Sequence, residues 1–477
     1  MGEPGRMARR KRPAPQPMGR RLFIVIVSLA STLLVSGDNA ERGLAGEDRL
    51  LSVRIDGFFD PERNFIDATA RLLFAQPASD RRLWLAEGLQ LNSVRGGTAI
   101  ALDFNRTAGE FMMQCPGAEE LEFGYSGCLA PNFETTETGS SLETLGMRTP
   151  VDECRFLSYV TDFYPHPRID FAAMDMSIRV PSGWNCLASG ALRSVKPEPA
   201  STTYTFENAE AKGMSLVIGR FGPIGTVPGS VPVRVYGWPG FRFENFCSRS
   251  EIERILAFYY GRFGALGVPE LSILFRRGLD FSGVSYNGLV VLNVDESRML
   301  LPVKSRKAMR TDSPFSLVDA ETDLLLHELA HQWWGGLLSW KTAADNWITE
   351  GLATYSSLLY LRQCRGEKAY AAALRRLRSL VKCFAGRGAP VNGYKLKLLE
   401  RDLKAYQALV YVKPTLMLTE LAGAIGEDAL DQRLRRILQD CRGRSLGTGE
   451  FLRLLSADDE SLLARLNEWI CCPGMPG

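Results

Sequence analysis

Histidine is nearly absent from this chain. Only His166, His327 and His331 occur among 477 residues, so imidazole chemistry has few places to reside. Two of them stand four positions apart, which leaves His166 as the one base open to a serine nucleophile, and that reading finds no support. No two of the ten cysteines stand in Cys-x-x-Cys spacing, which argues against a thiolate zinc site. Charge of one sign is also lacking. The net charge is +3, but residues 1–21 hold seven Arg or Lys against one Glu, so the remainder carries −3 and offers no nucleic-acid surface. Past residue 35 no segment reads as transmembrane, and no internal repeat or low-complexity tract is visible.

What remains is ordinary globular material, long enough for two or three domains with sizeable cores. The basic start leads into an uncharged run of fourteen, Leu22 to Val35, followed by Ser36-Gly37. Residues 1–37 therefore read as a secretory signal, with a retained membrane anchor as the alternative, because about 20 apolar residues are needed to span a bilayer. Either way the rest of the chain is expected outside the cytoplasm, periplasmic or extracellular, where its cysteines become candidates for disulfides.

The two remaining histidines lie in His327-Glu328-Leu-Ala-His331. On a helix, four residues turn through about 400° and rise about 6 Å, so both imidazoles leave one face. That spacing lets two ring nitrogens reach a single Zn²⁺. Glu328 lies one step round the helix, placed to act as general base without binding the metal. Glu350, eighteen residues beyond His331, is the candidate third ligand. Gly335-Gly336 is expected to end the first helix, and Asp345 or Asn346 to cap a second that returns Glu350 beneath the histidines. The result is one His₂Glu zinc site per chain.

This stretch, with Gln332-Trp-Trp-Gly-Gly336 and Trp347-Ile-Thr-Glu350-Gly-Leu-Ala353, resembles the aminopeptidase N family of gluzincin metallopeptidases, whose pattern is HELAHQWFGN, eighteen residues to the glutamate, then WLNEGFA. The resemblance implies a multidomain α+β protein: an all-β sandwich or saddle domain, then a thermolysin-like, mostly helical catalytic domain with a small sheet. It also implies peptide substrates. Gly283-Val-Ser-Tyr286-Asn287 lies where the family carries GxMEN, an edge strand that hydrogen-bonds the substrate backbone. Gly283, Tyr286 and Asn287 are its substrate-binding candidates. Tyr286 stands where the family has the glutamate that grips the free α-amine, and a phenol offers only a hydrogen bond. An endopeptidase or dipeptide-releasing enzyme, and a zinc-containing scaffold without activity, are therefore carried as alternatives. Tyr411, in Tyr411-Val-Lys413-Pro414, matches the family's YxKG and its oxyanion-stabilising tyrosine; Tyr406 is the weaker candidate for that neighbourhood.

The remaining texture agrees with two domains, 46–238 and 239–477. Short alternating runs (Leu51–Ile55, Thr98–Leu102, Ser177–Val180, Tyr204–Phe206, Ser215–Ile218, Val231–Tyr236) read as strands. Phe163–Pro167 and Ser177–Trp184 resemble segments of the family's β-domain, and His166 is expected there as a loop or surface residue. Ser250–Tyr260 reads as the first helix of the second half.

Overall fold

The architecture comes from a computed structural model, which describes residues 49–96, 101–107, 109–129, 154–158, 161–167, 171–277, 283–294, 317–393 and 403–475. The signal or anchor reading of residues 1–37 and the first half of Thr98–Leu102 lie outside them. Eleven strands make up the first domain: β1 Leu50–Asp60, β2 Phe65–Trp84, β3 Leu89–Arg95, β4 Ala101–Thr107, β5 Glu110–Cys128, β6 Arg155–Leu157, β7 Phe171–Pro181, β8 Asn185–Ala188, β9 Ala191–Pro197, β10 Ser201–Lys212 and β11 Leu216–Gly219. An eight-stranded sheet runs β3-β5-β2-β1-β7-β10-β9, with β4 on β5, and a three-stranded sheet runs β6-β11-β8. Alternation drives the large sheet. In β1, Val53, Ile55 and Phe59 are buried while Arg54 and Asp56 face out, as period-2 patterning requires. β2 and β5 are far longer than any run read from sequence, because charged Asp80-Arg81-Arg82 interrupts the apolar signal while the strand continues.

A five-stranded sheet draws on two strands that precede residue 239. β12 Gly222–Val227 and β13 Val233–Gly237 do not pair with the first domain. They join β14 Leu271–Arg276, β15 Gly283–Tyr286 and β16 Leu289–Asn293 in this sheet, ordered β12-β13-β14-β16-β15. Sheet membership thus changes between Gly219 and Gly222, which local alternation cannot reveal because β11 and β13 look alike in sequence. β15 is antiparallel to β16 and lies at the end of the sheet, where the edge strand was expected. The helix Arg249–Phe263 is capped by Ser248, whose side chain accepts from Glu251 N.

The zinc-motif helix is Ala320–Ala330, capped by Asp319 accepting from Thr322 N, and the returning helix is Trp347–Phe384. The first ends at Ala330, short of the glycines. Neither Asp345 nor Asn346 caps the second with its side chain. Asp345 accepts instead from Thr342 N and Thr448 N, and Asn346 Nδ2 donates to the Tyr406 hydroxyl. A π-helical stretch, Gln407–Val412, leads into the helix Lys413–Ile425 with Pro414 in its first turn. Lys404–Ile425 is long and apolar enough to cross a membrane by composition, yet most of it is buried inside the protein. β17 Leu338–Trp340 and β18 Arg444–Leu446 form a parallel pair. Of the ten cysteines, five are buried in or beside separate elements and five are exposed.

Candidate metal centre

Two helices and one π-helical turn bring the predicted residues to one point. His327 Nε2 and His331 Nε2 are 3.0 Å apart. Glu350 Oε2 lies 3.1 Å from the first and 3.4 Å from the second. Ligands about 2.0–2.1 Å from a tetrahedral Zn²⁺ are separated by roughly 3.3 Å, so the three atoms already trace one face of that tetrahedron. All three residues are buried, Glu350 completely. His331 Nδ1 is 2.8 Å from Trp334 O, the carbonyl contact that directs the other ring nitrogen inward. Gly335, at φ +129°, makes the reversal that presents this carbonyl.

The electrostatics describe a trio that shares one proton. Burial opposes charge on His331, but the Glu350 carboxylate outweighs it and lifts that imidazole to about 9. Burial and the charge of His331 push His327 down. Burial also works against ionised Glu350, yet His331 and both imidazole hydrogen bonds hold it below its ordinary range. A dication bound there would displace that proton, because imidazole nitrogens bind metal only in the unprotonated form.

Polar atoms without partners point the same way. Among the described residues, Glu350 Oε1, both oxygens of Glu328 and the Tyr411 hydroxyl are buried and find no hydrogen-bond partner at normal geometry. Buried polar groups are normally satisfied, so a cluster of orphans is the mark of a site for a cation, a water and a substrate. Burial pushes Glu328 up to about 8 despite the charge of His331; a neighbouring dication opposes that rise. Burial, then the charge of Glu350, keeps Tyr411 a neutral donor. Its ring stacks on His327 at 5.7 Å. Tyr406 is engaged with Asn346 and is not an orphan here.

The substrate-strand candidates divide. A Cβ on Gly283 would lie 2.8 Å from Glu328 Cγ and Oε1, so the edge strand meets the base where only glycine fits. Tyr286 is buried, and its carbonyl accepts from Gln332 Nε2 at 3.0 Å. Asn287 turns away from the edge: its Nδ2 donates to Glu210 O and Gly336 O, each at 3.0 Å. It sits in the two-residue turn of the β15–β16 hairpin, which aims it at the domain junction rather than along the strand. His166 is buried rather than on the surface, with Nδ1 2.6 Å from Pro167 O and Nε2 2.9 Å from Asp162 Oδ1.

Two contributors carry no catalytic signature in sequence, Ser285 and Gln332; the nearest signal for Gln332 is that it follows His331 directly. One Gly-x-Ser-x-Gly pentad does occur, Gly443 to Gly447, but its Ser445 lies on β18 beside Ser339 of β17, with no histidine. It is not a nucleophile elbow, which needs a strand-to-helix turn and a base.

An α+β chain with a buried His₂Glu trio and an adjacent free carboxyl defines the gluzincin class of metallopeptidases. Residues 298–469 match the Peptidase family M1 domain. Aminopeptidase N of Streptomyces lividans is 21% identical over 70% of this chain and 39% of its own length. Leucine aminopeptidase 2 of Coccidioides immitis is 28% identical over 35% of this chain and 29% of its own. The fold is similar to that of an M1 zinc metallopeptidase from Deinococcus radiodurans, with a TM-score of 0.68 and 18% identity over 90% of this chain and 95% of that one. Residues 298–469 are thus similar to the M1 peptidase domain, and the rest of the chain shares the fold of a two-domain M1 metallopeptidase. The chain spans well under half the length of these curated relatives.

Proposed function

We propose that this chain is a zinc-dependent peptidase of the aminopeptidase N type that hydrolyses a peptide bond by an activated water. The observation that carries this reading is the convergence of three ligand atoms, an unpartnered carboxyl and an unpartnered phenol in one buried place. Zinc held by His327, His331 and Glu350 would supply a Lewis acid and lower the pKa of water towards neutrality. Glu328 takes a proton from the attacking water onto a carboxyl oxygen, then delivers it to the leaving nitrogen as the C–N bond breaks. The Tyr411 hydroxyl donates to the oxygen that gains charge as the carbonyl becomes tetrahedral. β15 offers its edge to an extended substrate backbone.

A second reading, an endopeptidase or dipeptide-releasing enzyme, is favoured by one feature. Tyr286 stands where the family has its amine-gripping glutamate. Among the described residues beside the site, Glu328 and Glu350 have other work, and the Asp323 oxygens already accept Leu317 N and Val318 N. An α-ammonium thus meets no evident spare carboxylate there.

Hydrolysis of free and N-acetylated peptide reporters, with and without a chelator, tests both readings. Chelator-sensitive cleavage confined to free peptides supports the aminopeptidase. Equal cleavage of both forms removes amine recognition. Full zinc occupancy with no cleavage across a broad peptide library leaves a non-catalytic scaffold.

The basic start and the Leu22–Val35 run support export, with the membrane as a partner if the segment is retained. Fractionation of the native cells checks this: a cytosolic pool alone would refute it.

A further inference from the structure

The hairpin ending the catalytic sheet is fastened to the zinc helix and its exit by three hydrogen bonds. Ser285 Oγ donates to Glu328 O at 2.6 Å. One turn further along, Gln332 uses both ends of its amide: Nε2 donates to Tyr286 O at 3.0 Å, and Oε1 accepts from Gly288 N at 2.9 Å. Gln332 is buried. The turn between these contacts is also held by the β-domain, because Asn287 Nδ2 donates to Glu210 O and Gly190 N donates to Asn287 O at 3.0 Å. Glu210 in turn pairs with Arg442 at 2.7 Å.

Close approach and restraint come from different residues. Gly283 lies so close to Glu328 that an added methyl group would collide with its side chain, so the lack of a side chain there lets the strand approach the base. Gln332 prevents the strand from moving away, and only an amide supplies a donor and an acceptor together at that spacing. Strand register matters here, since a slip of one residue exchanges the two faces.

We propose that Gln332 is a positioning residue: it fixes the edge strand Gly283–Tyr286 against the zinc helix, so that a substrate backbone laid on the strand meets Glu328 in one register. The Asn287 turn extends the same restraint to the β-domain. This role rests on the peptidase reading, but the hairpin restraint has a readout of its own.

The test uses the full chain loaded with zinc, as wild type, Gln332→Glu and Gln332→Met. The glutamate variant retains the acceptor for Gly288 N and loses the donor to Tyr286 O; the methionine variant loses both. Zinc content is expected to stay at one per chain. Amide exchange in residues 283–289 should quicken about three- to tenfold, with exchange in β13 and β14 unchanged. For an extended peptide substrate, KM should rise about three- to tenfold with kcat changed less than twofold, more for Met than for Glu. Unaltered hairpin exchange and KM in zinc-replete variants would overturn the proposal. So would faster exchange throughout the sheet with kcat and KM falling together, the signature of general support for the fold. If Gln332→Met does not fold, Gln332→Glu decides alone. Should the wild type cleave no peptide, the peptidase reading fails, while the exchange measurement still decides the restraint.

Discussion

The β-domain and the catalytic domain each bury histidine, and they do so to opposite ends. His166 has both ring nitrogens against oxygens of its immediate surroundings, Pro167 O and Asp162 Oδ1, and its backbone bridges to Trp84. It is a closed structural element. His327 and His331 turn their Nε2 atoms toward one another and toward Glu350. Beside them the Glu328 carboxyl and the Tyr411 hydroxyl find no hydrogen-bond partner at normal geometry among the described residues. Among these three histidines burial does not distinguish structure from chemistry; the cluster of unpartnered polar atoms beside His327 and His331 does.

The contrast can be tested in descending order of effect. Replacing Glu328 by Gln keeps size and removes the base. Turnover is expected to fall about 10²–10⁴-fold with zinc retained, as metal analysis of the purified variant would show; substantial residual hydrolysis would refute the assigned base. Tyr411→Phe should lower kcat about 10²–10³-fold. Because the hydroxyl finds no hydrogen-bond partner among the described residues, thermal stability should hold within about 0.5 kcal/mol. A large drop in stability would mean the phenol was bonded after all. His166→Ala is the reverse case. It should cost about 1–3 kcal/mol in denaturant unfolding by stranding Asp162, while zinc content and kcat of the folded protein change less than twofold. Loss of activity without loss of stability there would erase the contrast between the two domains.

Beyond the histidines, the domains differ in how much of them could be read in advance. The zinc trio was legible because His327, Glu328 and His331 lie within one helical turn and a half, where spacing translates directly into geometry. Glu350 was legible because its helix follows closely. The β-domain was legible in part as strands, but β2 and β5 fell where no run was read, and β12 and β13 belonged to the other sheet. Strand pairing joins residues far apart in the chain, and alternation says which face is buried without saying which partner lies alongside.

The edge hairpin shows the limit most clearly. Its motif located Gly283, Tyr286 and Asn287, yet only the folded chain reveals that Asn287 fastens the domain junction and that Gln332 reads the hairpin backbone. By itself the sequence indicated that His327, His331 and Glu350 come together with Glu328 beside them, because local helical spacing carries that arrangement. The tertiary structure alone decided which strands share a sheet and the contacts of Asn287 and Gln332. Those depend on backbone atoms of distant segments, whose positions no local pattern encodes.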